Sequence, residues 1–194
     1  MNKPFSTLPE ISLAIGNKRE QQTKNQLLRL FEQYPLNKWL YTEQVRIEQG
    51  VIPHSHPILT LSTHDMDDAE LLLGTYIHEQ IHWFCVLTEK IESTNRAMEE
   101  FRYLYPSLPV GYPLGCNSEF SNYLHIIVNE LEYQGLIELL GAERAKTAFE
   151  RKAYYLKIHE LVVREHEQIA AILARYNLIL PEMPPKEKIF VDVS

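Results

Sequence analysis

His78 and His82 stand four residues apart with Glu79 directly after the first of them, in the run HEQIH. Residues four apart on a helix lie one above the other, so both imidazoles would aim at one point, as a tetrahedral zinc ion requires of two ligands. Glu79 would project about 100° away on such a helix. There its carboxylate can act as a general base toward a water on the ion instead of binding the ion itself. Hydrolysis is the chemistry these residue types can do together.

The helix that must carry them is apolar almost all round. With His78 at 0° on a helical wheel, Leu71, Gly74, Thr75, His82 and Cys85 share its side, and Leu72, Leu73, Tyr76, Ile77, Ile81 and Phe84 fill much of the rest. Two histidines and a glutamate on such a helix would be buried polar groups, costing a few kcal/mol each unless something satisfies them. A metal ion would satisfy them; the alternative is a core helix whose histidines hydrogen-bond to backbone or carboxylates.

Around this motif the chain reads as helices with a little sheet. Leu27, Leu28, Leu30 and Phe31 predict an amphipathic helix from Asn17 to Tyr34, closed by Pro35. Alternation of Trp39, Tyr41, Val45 and Ile47 with polar residues predicts a strand, with Gly50 and Pro53 supplying a turn. His56 to Asp65 predicts a second strand at a sheet edge. Asp65, Asp67 and Asp68 then mark a helix N-terminus, predicting a long helix from about Asp67 to about Ile91 with HEQIH in its middle. Residues 106–117, rich in Pro and Gly, read as a loop. A helix from Glu119 to Leu140 ends at Gly141, residues 142–177 are helical in pattern, and the last residues read as an extended tail.

The motif and the elements around it resemble the zincin metallopeptidases, a superfamily defined by HExxH on its active-site helix, preceded by a small sheet whose edge strand lines the substrate cleft. As a pattern of elements the likeness covers about residues 39–91; as a motif it covers five residues. The resemblance implies an α+β, helix-dominated fold: a zincin-like domain with a small antiparallel sheet packed on the buried HExxH helix and a C-terminal helical part. One domain over residues 1–180 and an extended tail over 181–194 are expected. The metzincin continuation HExxHxxGxxH fails, because Cys85 and Thr88 occupy the places of its Gly and His.

In the gluzincin branch the third ligand is a Glu from a second helix downstream. On the helix from Glu119 to Leu140, His125, Asn129, Glu132, Leu136 and Leu140 fall on one face, with Glu130, Gln134 and Glu138 on a different, polar side. A carboxylate in an apolar stripe requires a cation or strong donors, which makes Glu132 the expected third zinc ligand beside His78 and His82. Glu130 and His125 are the main alternatives, and a buried salt bridge with an Arg such as Arg144 is the other reading of Glu132. His125 and Asn129 are otherwise candidates to support the ligands or the transition state, with Glu79 and His125 as the catalytic pair. Glu99 and Glu100 lie near the gluzincin interval but are expected to face solvent.

Other residues carry less. His54 and His56 read as a polar turn able to touch substrate, His64 as exposed, and His159 and His166 as a solvated face. Tyr112, in the Pro/Gly loop, is a candidate oxyanion donor, and Cys85 a small packing residue.

The composition agrees with a globular metal enzyme without naming one. A hydrophobic share of 45% and a charged share of 23% over 194 residues are ordinary for a single soluble domain. A net charge of −7 and the lack of any basic run disfavour nucleic acid as a partner. Two cysteines make no disulfide framework, and the first residues hold no apolar stretch of the signal-peptide kind, so a cytoplasmic location off the membrane is expected. The expected function is a zinc-dependent hydrolase of the metallopeptidase kind acting on a protein or peptide; the alternative is a zincin-like partner-binding or regulatory module.

Overall fold

The computed structural model describes residues 8–182, 184 and 188–191. The chain divides into two units, residues 1–83 with 180–188 and residues 84–179 with 189–194.

The first unit holds β1 (Glu10–Leu13), α1 (Lys18–Gln33), β2 (Gln44–Glu48), β3 (Leu59–Ser62) and all but the last two residues of α2 (Ala69–Cys85). The start of α1 is fixed by a reciprocal cap. The Asn17 side chain accepts from the Glu20 N–H at 3.0 Å, and the Glu20 carboxylate accepts from the N–H groups of Ile15 and Gly16 at 3.0 and 2.8 Å. That carboxylate is buried, yet backbone donors satisfy it. Leu27, Leu30 and Phe31 form the buried face of the helix.

The sheet corrects an expectation: it is parallel, not antiparallel, in the order β1-β2-β3. Glu10 to Leu13 pair with Gln44 to Ile47, and Val45 to Glu48 with Leu59 to Ser62. The cause lies in the connection after β2. His54 and Thr60 exchange backbone hydrogen bonds of 3.1 and 2.7 Å in an antiparallel bridge. The chain therefore reverses twice between Glu48 and Thr60, once before His54 and once after it, and β3 runs in the direction of β2. All four residues of β3 are buried, as expected for a parallel strand covered on both faces. Residues Leu36–Trp39, where the predicted strand begins, form a 3-10 turn instead.

Asp68 caps α2, its Oδ1 accepting from the N–H groups of Glu70 and Leu71 at 3.2 and 3.1 Å. The helix ends at Cys85, short of the expected Ile91. Beyond it Leu87 forms a bridge with Phe190, the Thr88 N–H donates to the Ile189 carbonyl at 2.8 Å, and the Val191 N–H donates to the Val86 carbonyl at 2.9 Å. Backbone groups used in that ladder are not free to continue a helix. The described part of the tail is thus tied down, while residues 183, 185–187 and 192–194 of the expected extended tail lie outside the described residues.

The second unit is helical: α3 (Ile91–Leu104), α4 (Glu119–Leu140), α5 (Ala142–Glu150) and α6 (Leu156–Arg175). Ser118 caps α4, and Gly141, at φ 85°, ends it where a residue with a Cβ would be strained. α4 is the hub, packed by α3, α5 and α6, so most of its length is buried, including positions that a wheel assigns to solvent. The region 142–177 is two helices, broken where Tyr155 takes a left-handed φ of 57°. No helix among the described residues is long and apolar enough to cross a membrane.

Candidate metal centre

The motif lies on α2 as its spacing requires. His78, Glu79 and Gln80 are buried and His82 is half-buried. The two imidazole rings are 5.0 Å apart between centroids, inclined at 68°. Gln80, an unassigned position of the motif, is what locks the helix to the chain before β2. Its Oε1 accepts from the Tyr41 and Thr42 N–H groups at 2.8 Å each, and its Nε2 donates to the Thr42 carbonyl at 2.9 Å. A buried amide with three backbone bonds fixes the helix in rotation as well as position.

His125, on α4, is the third member. The ligand atoms of His78, His82 and His125 all lie within 4.8 Å of one another, a group that could hold a metal ion. The His125 Nδ1 is 2.7 Å from the Ser121 carbonyl one helical turn back, and so carries the proton. A hydrogen bond of this kind fixes the tautomer and ring orientation of a histidine ligand in metal sites. Burial pushes the His125 imidazole down to about 4, helped by the charge of Lys152 and opposed by its bond to Ser121 and by Glu132. At neutral pH the ring is uncharged, which is the form that binds a metal.

A tetrahedral zinc ion with bonds of about 2.0–2.1 Å sets its nitrogen donors about 3.3–3.4 Å apart. The ligand atoms of the three imidazoles lie within 4.8 Å of one another, the distance range over which such donors could share an ion. Nitrogen donors of this kind suit zinc, with one coordination position left over. The donor set therefore fits the ion.

Glu132, the expected third ligand, stands outside this group. Its carboxylate is fully buried and paired with the Lys152 ammonium, which follows α5. Burial pushes the Glu132 carboxyl up and the Lys152 charge holds it back. The salt-bridge reading of Glu132 thus holds in kind, with Lys152 in place of Arg144. Glu130, expected to point outward, is also buried, because α4 is covered on that side too. It accepts from Gln134 at 2.8 Å, and His166 Nδ1 lies 2.7 Å from it without hydrogen-bond alignment. Burial lifts its carboxyl to about 8.

The remaining candidates are scattered. Asn129 is fully buried, and neither atom of its carboxamide has a partner among the described residues. His159 is buried against Phe149 and not on a solvated face. His56 stacks on Trp83 at 4.2 Å, His54 bonds its own loop at the Ile52 carbonyl, and His64 is exposed beside Asp65. Glu100 is taken by Arg175 and by the Tyr176 hydroxyl at 2.8 Å. Burial pushes the Cys85 thiol up to about 12, so it stays protonated and is a poor ligand.

The sequence pattern puts Tyr155 in the packing stripe of the C-terminal helical region and gives it no site role, yet its ring lies 4.5 Å from that of His125. Four basic or aromatic residues among the five that follow α5, Arg151, Lys152, Tyr154 and Tyr155, were the available signal. Comparison with family models, with curated proteins and with solved structures found no match to this chain.

Proposed function

We propose that the chain is a zinc-dependent hydrolase in which His78, His82 and His125 hold the ion and Glu79 moves the proton. The observation that carries this reading is a group of three imidazoles with ligand atoms within 4.8 Å of one another, with a buried glutamate, Glu79, next to His78 in the sequence. Zinc, when bound, supplies Lewis acidity that polarises a carbonyl and acidifies water. On the chain's side, Glu79 follows His78 on the same helix and faces about 100° away from it. Its carboxylate oxygen takes the proton of the attacking water and returns it to the departing amine nitrogen. Ser121 keeps His125 in one tautomer through the 2.7 Å bond from Nδ1–H. Asn129, one turn beyond His125 and fully buried, has a carboxamide without a partner among the described residues, which an ordered water would satisfy.

A peptide or other amide is the substrate class that this reading names. Glu79→Gln is the direct test, since it keeps the shape of the side chain and removes its basicity. The variant should retain zinc and lose turnover of a fluorogenic peptide library by roughly a hundredfold or more. Unchanged turnover would remove Glu79 from the reaction.

A further inference from the structure

The proposed ligand His125 is the inner end of a chain of aromatic rings that runs to the surface. The Tyr155 ring lies 4.5 Å from it, and the Tyr112 ring lies 5.6 Å from Tyr155, with the two hydroxyls 3.4 Å apart. Tyr154 stands edge-on to Tyr112 at 5.6 Å. Tyr112 and Tyr154 are 42% and 49% exposed, so the outer end of the series offers ring surface to solvent.

The platform is built, not incidental. The Leu156 and Lys157 N–H groups donate to the carbonyls of Pro113 and Leu114 at 3.0 Å each, joining the loop that carries Tyr112 to the segment that carries Tyr154 and Tyr155. The loop is pinned in turn to α4 by Asn122, whose Oδ1 accepts from the Cys116 N–H at 2.7 Å and whose Nδ2 donates to the Pro109 carbonyl at 2.9 Å. Gly115 allows this closeness, because a Cβ there would stand 1.8 Å from the Pro109 oxygen. Tyr155 holds a left-handed φ of 57°, a conformation that side chains with a Cβ rarely adopt, and its ring lies against His125. The cations nearest in sequence are engaged, Lys152 by Glu132 and Lys157 by Glu160, so the platform presents rings and hydroxyls and not charge.

We infer that Tyr112 and Tyr154 form a substrate subsite continuous with His125, which takes a planar aromatic side chain flanking the bond to be cleaved. This rests on the metal reading above, and the test separates the two. Zinc-loaded full-length protein is titrated with acetohydroxamate, which engages the ion alone, and with 3-phenylpropanohydroxamate, which adds a phenyl arm. The phenyl compound should bind roughly tenfold or more tighter, from stacking and burial of the ring. In Tyr112→Ala/Tyr154→Ala protein that advantage should fall to about twofold or less, with zinc content and acetohydroxamate affinity unchanged. Equal affinities in the unmodified protein, or an advantage that survives the double substitution, would overturn the subsite and leave the metal reading standing. A chain that takes up no zinc and binds neither hydroxamate would overturn both.

Discussion

α2 and α4 both sink polar side chains among apolar ones, and they satisfy them in different ways. On α2 the buried amide of Gln80 is satisfied by backbone groups only a few residues apart, at Tyr41 and Thr42. On α4 three of the buried groups are answered by three different partners: His125 by a carbonyl of its own helix, Glu130 by Gln134 one turn on, and Glu132 by Lys152 beyond the next helix. A helix whose polar groups face one local partner can be read from spacing. A hub helix covered on several sides cannot, because burial no longer follows a single face.

The largest effect expected from this contrast is at Lys152. Lys152→Met would leave the Glu132 carboxylate buried without its cation, which costs about 3–5 kcal/mol. Urea unfolding should show that loss, and Glu132→Leu added to Lys152→Met should restore most of it. A Lys152→Met protein as stable as its parent would mean that Glu132 draws its satisfaction elsewhere, and would reopen its place among the ligands.

Glu130 sharpens the comparison with a smaller, pH-dependent effect. Its carboxyl is raised from an ordinary value of 4.5 to about 8, so the folded chain holds a proton there that the unfolded chain has released. The stability this contributes is complete below about 4.5 and is lost as pH rises toward 8. Glu130→Gln should remove that part of the slope. Denaturation midpoints at pH 5 and pH 8 should therefore converge in the variant relative to the parent; parallel behaviour of the two proteins would show that Glu130 is ionised throughout.

Much of this molecule was legible in its residues. The limits of α1 and α4 follow from Asn17, Ser118 and Gly141, whose capping chemistry is local. The HEQIH helix was legible for the same reason. β1 was missed because EISL is too short to show alternation, and the sheet's direction was misread because the reversal at His54 and Thr60 leaves no mark beyond an ordinary Gly/Pro turn. The place of His125 was harder. It shares a face with Glu132 on the wheel, and what separates them is the ammonium of Lys152, twenty residues downstream in a stretch without periodicity. An inventory of cations available to each buried acid would have exposed that pairing. With Glu132 committed to Lys152, His125 is the residue of that face whose ligand atom lies within 4.8 Å of those of His78 and His82.

The claim on which the account turns is that three histidines, and no carboxylate, hold the ion. Zinc per chain, measured by plasma mass spectrometry on folded protein after dialysis, decides it. The account predicts about one equivalent in the parent and in the Glu132→Leu/Lys152→Met protein, and a fall to below about half an equivalent in His125→Ala. Full zinc retention in His125→Ala, or its loss in the Glu132→Leu/Lys152→Met protein, would contradict it.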